Sequence, residues 1–236
     1  EESKFSNFID NGLQSDEARL RIFLELTESF PDEPHFWAHL ARFYSIRMGN
    51  HELSLQAIEK AINLSDEKDS LLFHMKGMCL RMLAKAKMNS QRNNKNILKS
   101  EIHEIYSIVD QAGESFEECR RINPSDYYGY ISHIQLLINV IDFSFTISKY
   151  ENKTEFLRNL SIWLQHKLSL AEELLDNIKI FNQVKSQNTY IKRCDIYLQD
   201  LYENHSLVIE GWNNLLTNAT KDKPVIRRSI VRTYVR

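Results

Sequence analysis

Apolar residues recur three and four positions apart along most of the chain, the spacing of one face of an α-helix. Ser15, Asp16 and Glu17 open the first such run, with acidic groups where the helix dipole favours them. Leu20, Phe23, Leu24 and Leu26 to Phe30 follow at roughly helical spacing, and Pro31 and Pro34 then interrupt the chain. Pro34 suits the first turn of the next helix, because the N–H it lacks would be unpaired there anyway. On that helix Trp37, Leu40, Ala41 and Tyr44 stand at i, i+3, i+4 and i+7. A turn at Met48, Gly49 and Asn50 separates it from a second stripe of Leu55, Ile58, Ala61, Ile62 and Leu64. Two amphipathic helices joined by so short a turn must pack antiparallel to bury both stripes.

The same rhythm predicts helices over 70–88, 97–121 and 126–149, with the polar, Asn-rich segment 89–96 as a loop. The helix over 126–149 is apolar on most sides, the pattern of an element buried between neighbours. The last third changes. Thr154 is expected to cap a long helix reaching residue 181. After a polar break over 182–188, Ile191, Cys194, Leu198, Leu201, His205, Val208, Trp212 and Leu215 keep an unbroken 3.5-residue repeat. This predicts two helices of similar length forming one long antiparallel hairpin, with His205 buried on its seam. Lys223 and Pro224 open a final stripe over 225–235. The expected fold is all-α: a stack of antiparallel helix pairs over 1–150, then the hairpin and terminal helix over 151–236, packed on the same stack.

Composition sharpens this. There are only 6 Gly and 4 Pro, too little turn punctuation for a sheet protein of 236 residues. A net charge of -2 is unlike that of a dedicated nucleic-acid binder. The 3 cysteines are odd in number and widely spaced, which fits no disulfide framework or zinc pattern and suits a reducing compartment such as the cytoplasm. No apolar run approaches the roughly 20 residues of a membrane span, and no signal peptide is visible. The chain begins at Glu1 without Met and ends in a helix-like run, which reads as a piece of a longer protein.

Trp37, Leu40, Ala41 and Tyr44, followed by Ser54, Ile58, Ala61 and Asp66, resemble the two helices of a tetratricopeptide repeat. Phe73 and Gly77, then Ala112, Phe116, Cys119 and Pro124, resemble a second unit, stretched around the Asn-rich segment. The resemblance covers about 16–145, and implies small residues such as Gly77 where helices approach closely. The run from Phe30 through Trp37 to Tyr44 is also similar to the helical repeats that follow the NTPase domain in STAND-class defence proteins, including the sterile-alpha-motif-domain-containing antiviral group. That likeness implies a sensing or docking region within a larger signalling protein.

No phosphate-cradling or nucleophile-elbow motif occurs. His35 and His39 are four apart, yet Phe36 stands where a zinc protease carries its Glu. No His follows an Arg at the spacing of helical antiviral ribonucleases. Adjacent carboxylates such as Glu117 and Glu118 do not face one another on a helix. We therefore expect no enzyme activity, cofactor or metal, and a protein or peptide partner, including other domains of a parent chain. In a stack of helix pairs the first helix of each pair lines the binding surface, which selects Arg42, His74, Arg81, Gln135 and Asn139. The alternative is nucleic acid at the basic stretches 81–99 and 221–236. No membrane is expected, and self-association is expected if the apolar stripes of 225–235 or 1–14 stay open.

Overall fold

The computed structural model describes residues 15–92, 94, 96–181, 189–218, 226–228 and 230–231. Among them every regular element is helical. The chain divides into two compact units, Glu1–Gly129 and Tyr130–Arg236.

In the first unit α1 (Asp16–Ser29) starts where Ser15 accepts a hydrogen bond from the Ala18 N–H at 3.2 Å. α2 (Pro34–Phe43) has its proline in the first turn, as expected, and runs into a π turn over Tyr44–Met48. Gly49 ends that turn with φ 63°, in the left-handed region that glycine tolerates best. Asn50 then caps α3 (His51–Leu64), accepting from the Leu53 N–H. α4 (Ser70–Gln91) is capped by Asp69, and α5 (Lys99–Ile122) follows.

Consecutive helices pack on one another from α1 to α5, and α2 also touches α4. Ala38 and Ala41 of α2, Ala57, Ile58 and Ala61 of α3, and Leu72 and Cys79 of α4 form one core. Small side chains at the α2–α3 contact let the helices come close while Ile58 and Leu72 fill the space. A neighbouring cluster joins Phe23 of α1 to Leu40 and Phe43 of α2. Trp37 bridges both clusters, donates from Nε1 to the Pro31 carbonyl at 2.9 Å, and carries Lys60 over its ring at 3.7 Å. The close crossing expected at Gly77 is present: a Cβ there would lie 2.5 Å from Phe116 Cε1 on α5.

The Asn-rich segment is shorter than expected, because α4 continues through Asn89, Ser90 and Gln91. Gln91 donates to Glu101 at 3.0 Å, and Glu101 in turn accepts from the Leu98 N–H at 2.8 Å, which closes the start of α5.

α6 (Tyr127–Thr146) carries the unit boundary in its first turn. Ile134, Leu136, Leu137, Val140, Ile141 and Phe143 are all fully buried, so the helix is enclosed as its composition predicts. The long hairpin is not formed. The first long helix is two, α7 (Lys153–Arg158) and α8 (Ile162–Phe181), and the second is α9 (Thr189–Leu201) and α10 (His205–Asn218). Asn152, not Thr154, caps α7. Asn159 and Ser161 break the first run by bonding locally to backbone, Asn159 to the Glu155 carbonyl and Ser161 to the Leu164 N–H.

The second run breaks at Glu203, the one non-glycine residue with positive φ (57°) among the described residues. Its carboxylate accepts from the Lys153 and Thr154 N–H groups and the Thr154 hydroxyl, at 3.3, 3.2 and 2.7 Å. Lys153 Nζ reaches Asp200 at 3.0 Å, and Tyr202 donates to Glu172. These bonds to 153–154 and to α8 hold the bend. α9 and α10 then pack on each other, and Gly211 of α10 sits so close to Ile196 of α9 that a Cβ would meet it at 2.6 Å. The apolar residues of the expected seam remain buried, but His205, at the bend, is exposed. Ile226 is fully buried with Ile196, Val208, Trp212 and Leu215, so that part of the terminal stripe is covered, while Val231 is 58% exposed. The rest of the stripe, and residues 1–14, lie outside the described residues.

Candidate docking cleft at the first helix pair

Of the five residues selected from sequence, Arg42 has the most distinctive setting. It lines a cleft of about 80 Å³ with Phe23 of α1, His39 and Phe43 of α2, and Ile46 and Arg47 of the π turn. A cofactor or drug site usually offers about 300–1,000 Å³, so this cleft fits one side chain. Phe23 and Phe43 supply a buried apolar floor, with ring centroids 5.5 Å apart. His39 lies nearly parallel to Phe23, at 6.4 Å and 17°. Arg42, Ile46 and Arg47 are exposed at the rim. Among the described residues no carboxylate lines the cleft.

The π turn explains how two arginines five residues apart share this site. At about 100° per residue, a regular α-helix would point them about 140° apart. A π turn holds an extra residue per turn, which carries Arg47 back toward the face that Arg42 occupies. Nothing in the apolar spacing announces this, so the sequence pattern does not single out Arg47, Ile46, Phe23 or Phe43 as site residues. The one legible signal was Gly49, whose left-handed backbone ends the turn.

The other four candidates do not join Arg42. His74 on α4 is half-buried, its ring 5.9 Å from Phe116 and 6.2 Å from Tyr128. Burial holds its pKa below the usual value, with Asp126 opposing and Arg81 adding to the shift. The ring thus belongs to helix packing more than to open surface. Arg81, also half-buried, lays its guanidinium against Met78 Sδ at 3.7 Å. Gln135 and Asn139 fall in the second unit, half-buried and one turn apart on α6.

The remaining chemistry is structural. His35 faces Asp69 at 3.8 Å, while His39 lies on Phe23, so the pair does not converge. Among the described residues no group of three His, Cys, Asp or Glu could hold a metal. Burial pushes the Cys79 and Cys119 thiols up to about 11, which keeps them protonated and poorly nucleophilic. Glu118 is ion-paired: Arg121, then Lys68, holds its carboxyl down at about 2. The basic stretch 81–99 is partly neutralised across the helix pair, since Lys87 reaches Glu104 of α5 at 2.8 Å. In 221–236 the described cations Arg227 and Arg228 are exposed. No described helix is long and apolar enough to cross a membrane. Compared with known protein families and with curated proteins, the chain finds no match in either.

Proposed function

We propose that this chain is a non-catalytic docking module that holds a protein or peptide through the first helices of its pairs. The observation that carries the reading is the arrangement of α2, α3 and α4. α3 packs on both α2 and α4, small residues bring these helices close, and α2 keeps Arg42 exposed beside an apolar cleft. Stacked helix pairs of the tetratricopeptide kind present such surfaces to ligands. The reading places the chain inside a larger signalling protein, of which antiviral STAND-class proteins are the proposed example, acting in the cytoplasm. Nucleic acid is the weaker partner, because Lys87 is already paired with Glu104.

Photo-crosslinking tests this. A photoreactive amino acid replaces Arg42 or Arg81 on the first helices, or Gln56 or Glu114, exposed on α3 and α5. The reading predicts discrete adducts from the first pair of positions and few from the second. Equal labelling at all four would contradict it.

A further inference from the structure

We infer that α10 is an exchangeable element whose alternative partner is a second copy of this chain. With the bend open, α10 of each copy packs on α9 of the other, and the Glu203 bonds to Lys153 and Thr154 decide between the closed and the exchanged form. This goes beyond the docking role, which rests on the first unit. The hinge is short, with Tyr202, Glu203 and Asn204 between two helices. It closes α9 as a Schellman motif: the Asn204 N–H donates to the Gln199 carbonyl at 3.0 Å and the Glu203 N–H to the Asp200 carbonyl at 3.3 Å. The left-handed position of such a motif is usually glycine, and here it is Glu203 at φ 57°. A short hinge under backbone strain is the setting in which elements exchange between copies.

What holds the strained residue lies outside the helix pair. The Glu203 carboxylate is bonded to the start of α7, at Lys153 and Thr154. Opening the hinge relieves the backbone and gives up those bonds, so the two effects oppose each other at one residue. The interface itself is indifferent to which chain supplies α10. Ile196 of α9 packs with Val208, Trp212, Leu215 and Ile226, all of which follow the hinge on one stretch of chain. The close approach of Gly211 to Ile196 also spans the hinge. These contacts re-form when a second copy provides that stretch, so the closed and exchanged forms differ at the hinge and in the entropy of joining two chains. The apolar rhythm from Ile191 to Leu215 runs unbroken through 202–204, so the local sequence does not itself demand the reversal.

The test places one cysteine on each side of the interface. A Cβ at Gly211 lies 3.9 Å from the Ile196 Cβ, within the span of about 3.5–4.5 Å that a disulfide bridges. One full-length chain carries Ile196→Cys and another Gly211→Cys. The two are unfolded in urea, refolded together at high concentration, oxidised and separated on a non-reducing gel. The three native cysteines are buried, and the parent chain gives their background. The exchange predicts a covalent dimer joined through positions 196 and 211, identified by peptide mass mapping. With Glu203→Ala in both chains its yield should rise about tenfold or more, because the carboxylate is lost and alanine resists a left-handed backbone. Glu203→Gly loses the same carboxylate but accepts φ 57°, so it should give clearly less dimer than the alanine variant. One chain carrying Ile196→Cys and Gly211→Cys together should close internally at low concentration in every background, and failure to close would remove the contact and the inference with it. Glu203→Ala chains that close internally yet give no mixed dimer would overturn the inference. Equal yields from the alanine and glycine variants, or a dimer joined only through other cysteines, would overturn it as well.

Discussion

The ring of Phe116 lies directly over Gly77, where α5 crosses α4. A methyl group at Gly77 would come within 2.5 to 2.9 Å of three ring atoms, about 1 Å inside a normal carbon contact. Phe116 is fully buried, so its ring has nowhere to swing. Alanine would gain up to about 1 kcal/mol in helix propensity, but overpacking of this kind costs about 1–3 kcal/mol. Gly77→Ala should therefore lower stability by about 1–2 kcal/mol, and Gly77→Leu by more. In a Phe116→Leu background the same alanine should cost clearly less, because the two positions are coupled through one contact. Equilibrium urea unfolding of the four chains checks this, and an undiminished cost in the double variant would refute the contact.

A second close approach sits in the other unit. Gly211→Ala would set a methyl 2.6 Å from Ile196 Cγ1 and 3.0 Å from its Cδ1. The Ile196 side chain is more adaptable than a buried ring, so the expected loss is smaller, about 1 kcal/mol. Thermal unfolding should show a drop of a few degrees, and the same alanine should cost clearly less in an Ile196→Ala background, which lacks both Cγ1 and Cδ1. If the α9–α10 pair were instead one continuous helix, Gly211→Ala would raise the melting temperature.

Glu203 makes the bend sensitive to pH. Hydrogen bonding from Thr154, first through its hydroxyl, holds the folded carboxyl below its ordinary pKa, with Lys153 adding to the effect. A carboxyl depressed on folding contributes stability above its unfolded pKa, and loses it as pH falls through the folded value. Lys153 is itself paired with Asp200 at 3.0 Å and with Asp142 at 3.9 Å. Glu203→Gln should cost about 1 kcal/mol at neutral pH, the size of a lost capping bond. That difference should shrink steadily below the ordinary carboxylate range. A constant difference between neutral and acid pH would mean the carboxylate is not the group that holds the bend.

The helix pairs of the first unit were legible because spacing and caps agree there. Trp37, Leu40, Ala41 and Tyr44 mark one face, Pro34 marks a start, and Gly49 and Asn50 mark a turn. Gly77 was legible through its place in the repeat pattern. The break at Glu203 was not, because the apolar residues on either side keep a perfect helical rhythm across it. Leu201 and Val208 are buried whether the helix continues or folds back, so the pattern is the same in both cases. Glu203 itself has no local preference for a left-handed backbone. What holds it there is bonding to Lys153 and Thr154, 50 and 49 residues away in sequence. The candidate site was half legible for the same reason. Arg42 follows from the helix-pair pattern, whereas Arg47 is brought to it by a π turn that leaves no mark in hydrophobic spacing.

The proposed docking function has a partner held on the first helices of the pairs in the first unit. The most direct measurement is quantitative co-purification of one crosslink-identified partner by three forms of the chain. These are the parent, an Arg42→Glu, Arg81→Glu variant, and a Gln56→Lys, Glu114→Lys variant altered on α3 and α5. Partner recovery should fall about tenfold or more with the first variant and stay at the parental level with the second. Equal recovery by all three forms, or loss only with the α3 and α5 variant, would contradict it.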